Sequence, residues 1–186
     1  AADGEVEDYM VSIVDNQFTI NDPSVLEGNA GTSSLTFTVS RTSNAAASSV
    51  DYAITGGTAT SGSDYAPLAS GTLSFTNGGA LTQTVTVTVN GDLVVEDNET
   101  VIITLSNPVN GGISDNTGIG TITNDDAATL TLSGGISQNE TNAGTVPHTF
   151  TATLSAAVQG GFTVAYTTND GTAIAPGDYT DNDGTL

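Results

Sequence analysis

An all-β fold, two antiparallel sheets packed face to face, is what this sequence predicts, and three observations carry it. Short runs of Thr and Val alternate polar and apolar residues with a period of two. Clusters of Gly, Asn and Ser punctuate those runs. No stretch has the apolar period of a helix, while Thr and Val, which suit a pleated half-buried surface, dominate the runs.

The elements follow in order. Residues 1–8 (AADGEVED) are acidic and patternless, and residues 9–14 (YMVSIV) form a short strand candidate. From Phe18 the pattern predicts strands at about 18–26, 34–40, 49–55, 72–76, 82–90, 100–106 and 118–123. The inward sets are Leu35, Phe37 and Val39; Val50, Tyr52 and Ile54; Leu73 and Phe75; Val85, Val87 and Val89; and Val101, Ile103 and Leu105. Turn clusters at 28–31, 56–62, 77–79, 90–91 and 107–112 separate them. Seven short strands with this spacing predict an immunoglobulin-like antiparallel β-sandwich.

From Thr129 the pattern restarts, so the sandwich is expected in tandem. Glu27-Gly-Asn-Ala-Gly-Thr32 recurs as Glu140-Thr-Asn-Ala-Gly-Thr145, and Thr36-Phe37-Thr38 as Thr149-Phe150-Thr151 at the same offset. Gly57-Thr58-Ala59 recurs as Gly171-Thr172-Ala173, Gly62-Ser63-Asp64-Tyr65 as Gly177-Asp178-Tyr179 with one residue fewer, and Gly71-Thr72-Leu73 as Gly184-Thr185-Leu186. The division expected is therefore 1–17 as the tail of a preceding module or a strand-donor segment, 18–127 as a sandwich, and 128–186 as the first half of a second, incomplete copy.

Composition narrows the function. Arg41 is the only Lys or Arg against 21 acidic residues, a net charge of −20. That field repels nucleic acids and anionic membrane surfaces, so neither is expected as a partner. The acids are interleaved with apolar residues, which make up 37% of the chain and suffice for a core. No apolar run approaches the roughly 18 residues of a membrane helix. No signal peptide is recognised, and the chain reads as mature or as a segment of something longer. Without cysteine there is no disulfide, thiolate metal site or Cys nucleophile. Scarce Lys with abundant Thr, Gly, Asn and Asp gives the expectation of a secreted, cell-surface protein.

The acids are distributed unevenly. Between the strands at 82–90 and 100–106 lie Asp92, Glu96, Asp97 and Glu99. In a sandwich whose successive strands reverse direction, every second connection lies at the same end. Counting from 18–26, one end receives Glu27, Asp64, the 92–99 carboxylates, Asp125 and Asp126. The opposite end receives 41–48, 77–81 and 107–117, with Asp115 as its only acid. Carboxylates so gathered repel one another unless a cation holds them. An oxygen-only donor set from several loops suits Ca²⁺; Mg²⁺ wants a stricter octahedron, and Zn²⁺ wants imidazole or thiolate. Each acid alone reads as a solvated loop residue, whereas the set reads as a metal site.

These residues also carry a resemblance. Glu27-Gly-Asn-Ala-Gly, Gly57-Thr-Ala with Gly62-Ser-Asp64-Tyr65, Gly71-Thr-Leu-Ser-Phe75, Asp92-x3-Glu96-Asp-x-Glu99-Thr, Leu105-Ser-Asn and Gly120-Thr-Ile-Thr-Asn-Asp125-Asp126 together resemble the Calx-β module. That family is a calcium-binding immunoglobulin-like sandwich found in sodium–calcium exchangers and many large bacterial surface proteins. The resemblance covers 18–127 fully and 128–186 as a half copy. By position it implies Glu27, Asp64, Asp92, Glu96, Glu99, Asp125 and Asp126 as calcium ligands. Exchanger modules run three aspartates where this chain has Gly91-Asp92-Leu93 and Asn124-Asp125-Asp126, which implies one or two ions. In the half copy only Glu140 and Asp178 match. The GEVEDYMVSI stretch resembles the closing motif of bacterial GEVED-type surface domains.

Other features are set aside. His148 has no evident Ser or Asp partner, and Tyr65 and Tyr179 read as packed rings. Asn98-Glu-Thr100 and Asn139-Glu-Thr141 match the N-glycosylation pattern but overlap the acidic loops. Paired carboxylates can hydrolyse glycosides, but these sit on loop tips without aromatic platforms, and there is no Trp. The resulting expectation is a non-enzymatic, calcium-stiffened structural or adhesion protein, its partners neighbouring modules or identical subunits, its adhesion ligand unspecified. The alternative is a self-assembling filament subunit whose half sandwich is completed by strand addition from a neighbouring chain, with residues 9–20 as donor.

Overall fold

The alternation read from the sequence becomes two packed sheets. The structure, a computed structural model, describes residues 16–186. The GEVED-like stretch and most of the 1–17 segment, with most of the 9–20 donor, therefore lie outside the described residues. Contacts divide the chain into two compact units: residues up to Asp92 with Asp97–Asp125, and Leu93–Glu96 with Asp126–Leu186.

Among the described residues the first unit holds nine strands: β1 (Gln17–Ile20), β2 (Ser24–Leu26), β3 (Gly31–Arg41), β4 (Ser48–Gly57), β5 (Gly71–Phe75), β6 (Thr82–Gly91), β7 (Glu99–Val109), β8 (Gly112–Ile113) and β9 (Thr117–Thr123). One sheet has the order β6-β3-β1-β8 and the other β2-β9-β7-β4-β5. All pairs are antiparallel except β1 with β8 and β2 with β9. The expected inward sets line the interior: Leu35, Phe37, Val39, Val50, Val87, Val89, Val101 and Ile103 are all fully buried, and Phe18, outside those sets, joins them. Tyr52 and Ile54 are half-buried against that core, on a strand whose pairing to β7 slips twice. Gly120 on β9 lies where Leu35 and Phe37 press closest, and a Cβ there would run into both side chains.

Two expectations are corrected. The strand at 18–26 is two strands, one in each sheet, because Pro23 has no N–H to donate and the Asp22 carboxylate takes the Ile119 N–H instead. Both halves run toward the same end, since β2 is parallel to β9 and β1 is antiparallel to β3, so the count of chain ends is unaffected. Asn90-Gly91 is not a turn. It closes β6, because β3 extends back to Gly31 and pairs with Gly91.

Arg41 ends β3 at the opposite pole from Gly31. It is buried, its guanidinium lies 5.0 Å over the Phe75 ring, and it donates to the Ala46, Thr76 and Ala80 carbonyls and to Ser48 Oγ. The lone cation of the chain is thus consumed in tying two loops at that pole.

The second unit contains β10 (Leu130–Leu132), paired with β11 (Ala152–Leu154), and β12 (Ala165–Tyr166), paired with β13 (Gly184–Thr185). Both are two-stranded antiparallel sheets. Val95 forms an isolated parallel bridge with Val158. The large apolar side chains here are open: Leu132 is 67% exposed and Phe150 57%. No helix among the described residues is long and apolar enough to cross a membrane.

Candidate metal centre

Strand direction brings the acidic connections of the first unit to one pole. Gly31 opposite Gly91 marks that end of the β3–β6 ladder, and Leu26 opposite Thr123 marks it for β2 and β9. Glu27 follows β2 directly, its N–H donating to the Thr123 carbonyl, and is 5% exposed. The next residue, Gly28, donates its N–H to Asp125 Oδ1 at 2.8 Å. This close crossing explains Gly91, where any Cβ would strike the Gly28 carbonyl.

Asp64 sits in the loop after β4 and is 9% exposed. Its own loop shapes it: the Thr60 N–H donates to Asp64 Oδ2 at 2.5 Å, and the Asp64 N–H donates back to the Thr60 carbonyl at 3.0 Å. Asn90 docks the loop on β6, giving its backbone N–H to the Asp64 carbonyl and its side-chain amide to the Ser63 carbonyl. Asn90, expected in a turn at 90–91, is a loop-positioning residue of β6 instead. The strand alternation running through Val89 was the signal that could have found it.

Glu99 opens β7, opposite Ile122, and is 9% exposed. Asp64 and Glu99, both of the first unit, each offer a carboxylate oxygen within 4.8 Å of the other. Glu96 is half-buried and accepts from Gln159 Nε2 at 3.2 Å, a partner the sequence did not single out. Of the seven residues implied as ligands, Asp64 and Glu99 form the first-unit pair within joint reach of one ion. Glu27 and Asp125 stand at the same pole outside it, Asp92 is exposed beyond the end of β6, and Asp126 follows Asp125 in the chain.

The donor set fits a hard divalent cation. Two ionised carboxylates at such spacing repel by roughly 3 kcal/mol at an effective dielectric of about 20. Arg41 sits at the far end of β3, about 30 Å away at roughly 3.3 Å per residue. Oxygen donors without sulfur or imidazole match calcium's preference. Away from this pole, Asp51 accepts from Thr72 Oγ1 and Asn107 Nδ2, and these hydrogen bonds, the Thr72 one foremost, hold its carboxyl below the usual range.

A two-sheet immunoglobulin-like sandwich with a carboxylate-lined pole is the class these features define. The Calx-beta domain family model matches residues 13–134 and again 123–186. The chain belongs to the Calx-beta family, in tandem. Among solved structures it is similar to the apo-form Calx CBD1 domain, with 26% identity, a TM-score of 0.52, and coverage of 60% of this chain and 98% of that one. It is also similar to CBD12 from CALX1.2, with 27% identity, a TM-score of 0.52 and coverage of 63% of this chain; it spans about half that protein's length, 48%. A comparison with curated proteins finds no match.

Proposed function

We propose that this chain is a non-enzymatic calcium-binding structural module of an extracellular repetitive protein, in which Ca²⁺ stiffens the acidic loops and the connection that follows Asp125-Asp126. The observation that carries this reading is the approach of the buried Asp64 and Glu99 carboxylates to within 4.8 Å. Family membership supports it, as does a chain whose single Lys or Arg is buried elsewhere. Asp64 and Glu99 hold the ion in this reading, and Glu27, Asp92, Glu96, Asp125 and Asp126 enlarge the set as the family resemblance implies. Bound calcium neutralises charges that otherwise repel, so stability rises by mass action, by about 2.7 kcal/mol at 100 times the dissociation constant.

The test is thermal unfolding in millimolar Ca²⁺ against excess chelator, with Mg²⁺ as control. A calcium-specific rise in Tm is expected, and the Glu96→Gln/Glu99→Gln double variant should lose it. No rise, an equal rise with Mg²⁺, or a rise that survives the double variant would sink the assignment.

A second reading has its own observation. The exposed Leu130, Leu132, Phe150 and Leu186 of the second unit favour completion by strand addition from a neighbouring chain, giving a filament of identical subunits.

A further inference from the structure

Away from the acidic pole, the first unit carries a polar groove on the outer face of β5, β4 and β7. Val50 is fully buried, so Asp51, the next residue of β4, points away from the core. It faces Thr72 on β5 and Ser106 on β7, and three neighbouring strands thus set a carboxylate between two hydroxyls in one row. The row lies roughly 23 Å along β7 from Glu99, at about 3.3 Å per residue. Tyr52, Gly71 and Asn107 also line the groove, whose volume is about 370 Å³. A Cβ at Gly71 would come within 2.7 Å of the Tyr52 hydroxyl, so the bare glycine leaves that hydroxyl room.

Two features set Asp51 apart from an ordinary surface acid. Its carboxylate is held from both sides: Thr72 Oγ1 donates to Oδ1, and Asn107 Nδ2 donates to Oδ2 at 3.0 Å. Asn107 reaches it through a bulge. Ser49 faces Val109 while Asp51 faces Ser106, so β7 carries one residue more across that interval, and Asn107 takes a φ of 48°, uncommon for a residue other than glycine. The second feature is that the repeat dispenses with the acid. Tyr166 on Gly184 and Ala165 opposite Thr185 reproduce Tyr52 on Gly71 and Asp51 opposite Thr72, with Ala in place of Asp. Strand pairing here does not require a carboxylate.

The chemistry of the lining selects the ligand. Each Asp51 oxygen keeps a lone pair, while Asn107 keeps one amide hydrogen and its own carbonyl oxygen. An anion is repelled by Asp51 in a chain of net charge −20. A cation takes the acceptors and is opposed by the remaining Asn107 N–H. A sugar hydroxyl donates and accepts at once, and so uses both. The volume falls at the small end of ligand sites, roughly 300–1,000 Å³. We propose that this groove binds a neutral saccharide, one ring hydroxyl donating to Asp51 and a neighbouring one accepting from Asn107. The site is independent of calcium.

The test is amide chemical-shift titration of the full chain with glucose, galactose, mannose and N-acetylglucosamine, each taken to high millimolar concentration. At least one should give saturating shifts at residues 51–53, 70–72 and 106–107, unchanged by chelator. Asp51→Asn and Asp51→Ala should each weaken that binding by about tenfold or more, as loss of a charge-assisted hydrogen bond does. Thr72→Val, which frees one carboxylate oxygen to turn, should weaken it less. Amide shifts elsewhere in the first unit report whether each variant folds. No saturating shift with any of the four sugars, binding that survives both Asp51 variants, or equal shifts at the groove with methylguanidinium would overturn the proposal.

Discussion

The loop that presents Asp64 and its counterpart in the second unit make the most direct comparison in the molecule. In the first, the Thr60 N–H donates to the Asp64 carboxylate and the Asp64 N–H returns to the Thr60 carbonyl. In the second, Ile174 and Asp178 repeat both hydrogen bonds, each at 2.9 Å. Yet Asp64 and Tyr65 are buried, whereas Asp178 is exposed and Tyr179 only half-buried. Local geometry of the loop is therefore written within a few residues. Burial, and with it any metal-binding capacity, depends on β6, β7 and β9 arriving from elsewhere in the chain.

The largest effect that would break this comparison is a core truncation made in both units. Phe37→Ala should destabilise the first unit by about 3–5 kcal/mol through lost burial and a cavity. Phe150→Ala should stay within about 0.5 kcal/mol, as exposed substitutions do. Urea unfolding read by hydrogen exchange, unit by unit, checks this; equal costs would mean the second face is already covered.

A smaller effect sharpens it at the loops. With calcium at 100 times its dissociation constant, Asp64→Asn should forfeit most of the roughly 2.7 kcal/mol of calcium-dependent stability. Asp178→Asn should keep all of it. Calorimetry with and without chelator distinguishes the pair.

The smallest concerns Tyr179, whose phenol is pushed up to about 12 by desolvation and then by its hydrogen bond to Asp170. A raised phenol favours the neutral form, so its contribution is present below pH about 10, the unperturbed value, and is lost as pH rises through the folded value. Ultraviolet titration should show the Tyr179 midpoint falling toward its ordinary value in Asp170→Asn. An unchanged midpoint would place the cause elsewhere.

Alternation made the core legible from sequence. The Val85-Val87-Val89 and Val101-Ile103-Leu105 sets could face only one way once the sheet had an inside. The break at Pro23 was hidden by apolar residues on both sides of it, and the two strands it separates belong to different sheets. Strand direction alone decides which connections share an end, and the registers set Glu27, Asp64, Glu99 and Asp125 at a common pole. That Asp64 and Glu99 come within 4.8 Å depends on loop packing, on Asn90 gripping the Ser63 carbonyl, and no period in the sequence encodes such a contact.

The parallel pairing of β2 with β9 carries a mechanical consequence. The first unit's chain enters at one pole through β1 and leaves at the other after β9, so tension along it pulls β2 and β9 in opposite directions along their own axes. The ladder between them, continued by the Glu27 N–H on Thr123 and the Gly28 N–H on Asp125, is then loaded in shear rather than peeled. Its hydrogen bonds must yield together, which gives the sandwich its greatest resistance to force along the line of the chain.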